Sequence, residues 1–467
     1  MRKWIGLSIV AVFLFLDVLP SLAANIEVDG DFRVRGFYTD NLVDHYDKGT
    51  SGTTGCAANS NANCDDEEAY NSMRFLLTTT VTAGIAKGVV TLDYTSQGNT
   101  GNLRFGSGGN AGTPVEGDVP FGPADNRFAL LQAYIEADLQ VAKLSAGRKL
   151  NILGHSIVFD DPVDGIFVDV PLGPATLSVS NYKVIDNTST GVAIGNSGFG
   201  AGSDTDVYVG NVAFDPTPEL KTNLFIGYIQ DRAPNAAYFA PAGTVPSLDW
   251  NTILVGLTAD ANVGPLTVGG EVDFFNGSAD LIGGGDVDVE GLNVELFGAM
   301  DVGPANVGLT FLYASGDDPT DSDVNINGID GNYPTGIILT NGGARSLAPK
   351  DGTCLSVTGA SLGGVPNCIG GAGLLAVKGT GSMSPMERLT LQGDVIWARS
   401  AEDRSATINE KDVGVEIDGT AKIQLDENLS FLAGIGYLIA GDFWKTAAGG
   451  PSPDDKIVGV LELSFVF

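Results

Sequence analysis

Several segments of this chain alternate between polar and apolar residues over ten or more positions. In one of them, Asp412, Glu416, Asp418, Thr420, Lys422 and Gln424 alternate with Val413, Val415, Ile417, Ala421, Ile423 and Leu425. Successive side chains of a β-strand point to opposite sides, so the pattern predicts charge on one face and aliphatic groups on the other. Such a strand either lines a soluble core with its apolar face or turns that face outward to lipid.

The connections between the predicted strands decide between these alternatives. Every second junction is very short, at residues 86–88, 139–141, 172–174, 216–218, 262–264, 303–304, 382–386 and 426–428. The junctions between them are long and polar, at residues 42–70, 97–126, 154–164, 186–203, 232–249, 277–285, 315–372, 401–410 and 441–454. Strict sorting of this kind is typical of a transmembrane barrel with tight periplasmic turns and long outer loops.

The junctions divide the chain into an all-β fold, a single transmembrane antiparallel β-barrel of about 18 strands. The segment from Gly373 to Thr380 is the weakest strand, and without it and one neighbour the number falls to about 16. An even number leaves both termini in the periplasm. No stretch after the N-terminus approaches the roughly 18 apolar residues that a membrane helix needs.

The N-terminus has the order of a secretory signal. Arg2 and Lys3 precede an apolar run from Ile5 to Leu16, and the small residues Ala23 and Ala24 follow. This order predicts a cleaved signal peptide over residues 1–24 and a mature barrel over residues 25–467.

The last stretch, from Lys456 to Phe467, is an alternating strand that stops on an aromatic residue. It resembles the assembly signal of bacterial outer-membrane β-barrels, and the architecture as a whole resembles the bacterial porins. The resemblance implies a Gram-negative outer-membrane channel in contact with lipid and lipopolysaccharide, and a homotrimer. Closure of the barrel further predicts that this strand pairs with the first, from Ile26 to Tyr38.

The four cysteines form two local pairs, Cys56 with Cys64 and Cys354 with Cys368, each in a Gly/Asn/Ser-rich stretch. An even number of cysteines in an exported protein predicts disulfides. Each bond would close a short loop within a surface lobe.

The formal net charge of −32 argues against a nucleic-acid partner, because a polyanion would be repelled. The same acidity has two compatible explanations: solubility and divalent-cation bridging at an outer surface rich in anionic lipid, or a channel that excludes anions and prefers cations. The chain has two histidines, and His155 stands beside Ser156. Adjacent residues cannot place a nucleophile and its base in hydrogen-bond geometry, so the chain is not expected to be an enzyme.

Parity predicts a lumen lined by mixed charges, among them Arg33, Arg35, Arg74, Asp273 and Arg388. For any one of these residues, a salt bridge to a neighbouring strand is the alternative to a role in a filter.

Gly147-Arg148 is followed by an acidic run that contains Asp160, Asp161 and Asp164. This order resembles porins in which a Gly-Arg pair ends the strand before an inward-folded third loop. The resemblance implies a constriction with Arg148 on the wall and the three aspartates opposite it. Two departures are present: the loop has only about ten residues, and Arg148 has outward parity unless a bulge intervenes. The longest loop, 315–372, is the competing plug.

That longest loop opens with oxygen-bearing residues at alternate positions, Asp321, Asp323, Asn325 and Asn327. They resemble the first half of a calcium loop, although Pro334 stands where the closing Glu is expected. A solvated acidic loop is the alternative, and no other cofactor is predicted.

Two functions follow from the pattern. The first is a porin that forms a water-filled channel for passive diffusion of small hydrophilic solutes or ions, and the mixed polar lumen favours it. The second is a structural or partner-binding barrel, such as a sleeve for an electron carrier or a surface adhesion scaffold, which the long loops favour.

Overall fold

The computed structural model describes residues 24–41, 67–97, 127–185, 205–231, 247–281, 285–318, 324–325, 333, 335–339, 372–403, 409–445 and 452–467. The predicted signal peptide lies outside these residues apart from Ala24. All four cysteines lie outside them as well. Of the predicted calcium ligands, Asn325 is described, and its backbone N–H donates to Asp317 Oδ1 at 2.8 Å.

The fold is a single closed antiparallel sheet, as the sequence predicts. Its wall consists of β1 (Asn25–Asp40), β2 (Glu68–Ala83), β3 (Ala86–Gln97), β4 (Arg127–Asp138), β5 (Lys143–Leu153), β6 (Phe159–Leu172), β7 (Ala175–Ile185), β8 (Thr205–Thr217), β9 (Leu220–Asp231), β10 (Ser247–Val263), β11 (Leu266–Leu281), β12 (Asp286–Val302), β13 (Ala305–Ala314), β15 (Leu374–Met386), β16 (Leu389–Arg399), β17 (Asp412–Gln424), β18 (Leu429–Ala440) and β19 (Lys456–Val466). The two-residue strand β14 (Val324–Asn325) pairs in parallel with β12 inside the longest loop. The wall therefore has the predicted 18 strands, and 16 is wrong.

The first and last strands seal the barrel. β1 pairs with β19 from Asp31↔Val466 to Asp40↔Ile457, and with β2 on its other side. The Phe467 N–H donates to the Gly30 carbonyl at 3.0 Å, and the Gly30 N–H returns a bond of 2.8 Å. The predicted partnership of the terminal strands is confirmed.

The outer face of the wall is apolar. Alternate positions of successive strands expose aliphatic side chains, as at Leu257, Leu296, Val395 and Leu461. Because water does not accommodate so continuous an apolar surface, this face must be covered by lipid. Among the described residues, no helix is long and apolar enough to cross a membrane.

Four of the short turns begin with a glycine in the left-handed region, Gly84, Gly173, Gly264 and Gly303, with φ between 61° and 71°. The turn predicted at residues 86–88 therefore lies slightly earlier, at 84–85. The turn predicted at residues 382–386 lies later, at 387–388, because β15 continues through Pro385. The pairing register of β15 shifts between Met383 and Met386, and a proline without an N–H is tolerated in such an irregularity.

The inner side of the wall is less polar than parity predicts. Two apolar clusters lie inside the barrel, and each joins wall residues to a segment that folds inward. Lys456 illustrates the departure: it faces inward, but it is wholly buried, with its Nζ 4.1 Å from the centroid of the Trp444 ring. Trp444 belongs to the short 3₁₀ helix Asp442–Trp444.

Candidate functional site

The hairpin of β5 and β6 leaves the wall and enters the lumen. β5 pairs with β4 only as far as Arg148, and β6 pairs with β7 only from Asp164 onward. Beyond that level the two strands pair solely with each other, up to Leu153↔Phe159. Residues 149–163 form this inward hairpin. Its apolar side packs on the inner faces of β8 to β12 through a cluster that includes Leu153, Val158, Phe159, Val163, Phe225, Leu254 and Phe275.

His155, at the tip of the inward hairpin, reaches carboxylates on three strands of the wall beyond. Its Nδ1 lies 2.6 Å from Glu295 Oε2 on β12 and 3.6 Å from Glu271 Oε2 on β11. Its Nε2 lies 3.2 Å from Asp260 Oδ2 on β10, and its backbone N–H donates to Glu271. One imidazole thus fixes the hairpin tip through three acidic side chains.

The protonation of His155 follows from these contacts. Burial alone would lower the pKa of the imidazole, but the hydrogen bond and charge of Glu295 raise it, with help from Glu271 and Asp260. The net result is a pKa of about 9, so the tip carries a positive charge at neutral pH.

A second segment enters the lumen from the longest loop. This long-loop segment, Tyr333 with residues 335–339, is held through its backbone. The N–H groups of Ile337, Ile338 and Leu339 donate to the carboxylate of Glu416 on β17 at 2.7–2.8 Å. The Ile337 N–H also lies 3.1 Å from Asp418 Oδ2. Three consecutive N–H groups around one buried carboxylate satisfy an anion that would otherwise be costly inside the barrel.

The two inward segments meet at Glu295. The Tyr333 hydroxyl donates to Glu295 Oε1, while His155 occupies Oε2 of the same carboxylate. Burial and the adjacent carboxylate raise the pKa of Tyr333, so its hydroxyl stays protonated and able to donate. Ile157 of the hairpin tip also belongs to the apolar cluster that contains Ile337 to Leu339. Described segments of both loops that the sequence offers as candidates for the constriction therefore lie inside the barrel.

Arg148 and Asp164 are the last wall pair before the hairpin departs. They are direct register partners, and Arg148 Nη1 lies 3.1 Å from Asp164 Oδ2. Both share the face of the exposed Leu144 and Ile166, which is the outer face. Asp164 thus does not lie across a channel from Arg148, because the strand register brings the two side chains side by side.

The other acidic residues of the predicted constriction lie at different depths. Asp160 and Asp161 are on the hairpin itself, opposite Ile152 and Asn151 in the register, and Asp160 is buried. Asp273 is fully buried on the inner face of β11, two residues from Glu271. It lies beside the hairpin tip rather than at Arg148.

The predicted basic residues cluster near the closing seam. Arg33 lies opposite Arg74 in the register of β1 and β2, and Arg35 Nε is 2.6 Å from Glu462 Oε2 on β19. Arg74 makes a two-pronged contact with Asp93 on β3, at 2.8 and 3.0 Å. Arg388 is the exception: it lies in the turn between β15 and β16, where its Nη1 is 3.3 Å from the Leu425 carbonyl.

The sequence did not identify Glu295 and Glu416, the wall carboxylates that hold the inward segments. It considered His155 only as a possible catalytic base for Ser156, a role that it excluded. His155 did carry a signal, since a histidine between two strands that lead into an acidic run can pair with carboxylates. The backbone anchors of residues 337–339 carry no side-chain signal, because every non-proline residue offers an N–H.

No family model matches the chain, and no curated protein matches it either. Solved structures do resemble it over nearly its whole length. They include OccK8 (OprE) of Pseudomonas aeruginosa, with 13% identity, a TM-score of 0.53 and coverage of 95% of this chain and 98% of that one. A BenF-like porin from Pseudomonas fluorescens Pf-5 has 14% identity, a TM-score of 0.53 and coverage of 94% and 98%. The outer membrane protein opdK of Pseudomonas aeruginosa has 12% identity, a TM-score of 0.51 and coverage of 94% and 99%.

At such low identity the likeness concerns the fold. The closed antiparallel barrel of this chain matches these structures over 94–95% of its length. A closed barrel with an apolar outer face agrees with the predicted location in the bacterial outer membrane. The fold of this chain is that of the outer-membrane porins.

Proposed function

We propose that this chain is a porin, a channel for passive diffusion of small hydrophilic solutes or ions, and not an enzyme. The observation that supports it is the pair of inward segments fastened to wall carboxylates, His155 to Glu295 and the long-loop segment to Glu416. Segments held inside a barrel of this size narrow its cross-section. A diffusion channel with a constriction is the function that such an arrangement serves.

The charges around the proposed passage are separated by sign. Arg33, Arg35 and Arg74 lie on β1 and β2, while Glu271 and Glu295 lie on β11 and β12, about half of the wall strands away. A basic side that faces an acidic side creates a transverse field, which orders water and sorts solutes by charge and dipole. The sequence predicts the constriction at Arg148 and its aspartates. We propose instead that the transverse field arises between the three arginines and the two glutamates.

We further propose a preference for cations. Glu462 and Asp93 offset two of the three arginines on the basic side, whereas carboxylates outnumber basic groups around β10 to β12. The unbalanced negative charge lowers the energy of a cation in the passage.

Planar-bilayer recordings of the purified protein test both proposals. We expect stepwise conductance, and a reversal potential of cation-selective sign under an asymmetric KCl gradient. The variant Asp273→Asn should reduce the cation preference, while Asp301→Asn, an exposed carboxylate at the end of the same barrel wall, should leave it unchanged. Silence at every voltage would contradict the channel, and an anion-selective potential would contradict the preference alone.

The alternative of a sleeve for an electron carrier is not favoured, because the chain's own segments lie where a carrier would have to pass. The export signal over residues 1–24 and the barrel domain over residues 25–467 are part of this proposal. The disulfides Cys56–Cys64 and Cys354–Cys368, the contact with lipopolysaccharide, the homotrimer and the calcium loop remain predictions.

A further inference from the structure

The acidic group at the tip of the inward hairpin has more negative charge than its neighbours balance. Glu271 and Glu295 are direct register partners on β11 and β12, and both are almost completely buried on the inner face. Asp273 is two positions further on the same face of β11 and is also buried. Like charges opposite one another on adjacent strands destabilise a sheet, so this arrangement calls for a cation.

No lysine or arginine in the described ranges forms an ion pair with these carboxylates; the basic partner they have is His155. A single imidazolium balances only one of these carboxylates when they are ionised. Moreover, Glu271 Oε1 is buried and has no donor in hydrogen-bond geometry. Buried acceptors without a donor are costly, and a bound cation satisfies them directly.

We propose that His155, Glu271 and Glu295 bind a divalent transition-metal ion, of which zinc is representative. One ligand atom from each of the three residues lies within 4.8 Å of the others. Two ligands of a tetrahedral zinc ion are about 3.3 Å apart. The separations from His155 Nδ1 to the two glutamates, 2.6 and 3.6 Å, lie on either side of that distance. A shift of less than ~1 Å would therefore open the site for the ion.

The chemistry of the donors selects the class of ion. An imidazole nitrogen with two carboxylates suits zinc and its neighbours, whereas calcium and magnesium prefer oxygen ligands throughout. Asp260 completes the arrangement, because its Oδ2 lies 3.2 Å from Nε2 of His155, the nitrogen that faces away from the glutamates. A carboxylate on the far nitrogen orients a metal-binding histidine and fixes its tautomer.

The site goes beyond the proposed channel, since an ion here would hold the hairpin tip on β11 and β12 whatever passes through the barrel. Its binding does not depend on conduction, so it can be measured on the purified protein in detergent. The ion can bind His155 only after Nδ1 has lost its proton. Without the ion, the protonated imidazole supplies the positive charge at the same site.

The experiment is isothermal titration of ZnCl₂ into the folded barrel after treatment with EDTA and dialysis. We expect one Zn²⁺ per chain at a site that His155→Asn weakens more than about 100-fold, and that Asp260→Asn weakens about 10- to 100-fold. The chain's other histidine provides the matched control, because His45→Asn should leave the site unchanged. Equal amounts of Ca²⁺ or Mg²⁺ should not displace the zinc.

Three results would overturn the assignment: no saturable site in the wild-type chain, unchanged affinity in His155→Asn, or equal competition by Ca²⁺. Heat-dependent migration on a gel confirms that each variant is a folded barrel. If His155→Asn does not fold, Glu271→Gln takes its place, because glutamine preserves the shape of the side chain and removes its charge. Unchanged zinc affinity in that variant contradicts the site equally.

Discussion

The two inward segments are held in the lumen mainly by different groups, although His155 also donates its backbone N–H to Glu271 and Tyr333 its hydroxyl to Glu295. The inward hairpin presents one side chain, His155, to carboxylates on three different strands. The long-loop segment presents three backbone N–H groups to one carboxylate, that of Glu416. A side-chain anchor depends on the identity of the residue in the loop, whereas a backbone anchor depends on the wall residue and on the loop's conformation.

Both segments nevertheless carry a glycine at the point of closest approach to their anchor. A Cβ at Gly154 would overlap the carboxylate of Glu271, and a Cβ at Gly336 would lie 2.7 Å from Glu416 Oε2. In each case the absence of a side chain lets the backbone reach the buried carboxylate. The same local solution thus serves a side-chain anchor and a backbone anchor.

The largest effect is expected from removal of the backbone anchor. Glu416→Ala deletes the acceptor of three N–H groups at once, and hydrogen bonds to a charged group contribute ~1.5–3 kcal/mol each. The loss, on the order of 5 kcal/mol, should release the long-loop segment and raise single-channel conductance. Asp301→Asn is the control, since Asp301 is an exposed carboxylate at the end of β12 that accepts a hydrogen bond from Asn306. Unaltered conductance in Glu416→Ala would show that the segment does not limit the passage.

Glu295 is the carboxylate that the two anchors share. Glu295→Gln weakens the contacts of both His155 and Tyr333, and loss of one member of a buried charged pair costs about 3–5 kcal/mol. We expect current fluctuations as the hairpin tip moves, together with a lower urea midpoint for unfolding in lipid. Glu290→Gln, an exposed glutamate on the same strand, should change neither. If Glu295→Gln shows no additional current fluctuations and an unchanged urea midpoint, the hairpin is held by its apolar contacts alone.

Alanine substitutions at Gly154 and Gly336 compare how closely each inward segment approaches its anchoring carboxylate. Gly154 has φ +59°, so Gly154→Ala combines backbone strain with the overlap against Glu271, and we expect a loss of about 2–3 kcal/mol. Gly336→Ala meets only the ends of the Glu416 and Ile396 side chains, and about 1 kcal/mol is expected. Urea unfolding of both variants in parallel gives the order. Equal losses, or a reversed order, would contradict the closer approach of the hairpin backbone.

These anchors also mark the limit of what the sequence predicts. The strands, the sorting of short and long connections and the seam between β1 and β19 follow from alternation and turn residues, which are local signals. His155 and Glu295 are 140 residues apart, and nothing local to either predicts their contact. The long-loop segment is still less visible, because its N–H groups are common to all residues except proline. The turn predicted at residues 382–386 is also wrong, because β15 continues through Pro385 at an irregularity in its pairing register.

The smallest effect is expected at the pair that the sequence places in the constriction. Arg148 and Asp164 lie on the outer face where the hairpin departs, and the Asp164 side chain is 62% exposed. Asp164→Asn should leave the cation/anion permeability ratio unchanged, because the barrel wall separates the Asp164 side chain from the passage. The measurement is the reversal potential of Asp164→Asn beside that of Asp273→Asn in the same salt gradient. A shift in the first variant as large as in the second would restore the constriction to Arg148 and Asp164, and would mean that the hairpin tip does not define the passage.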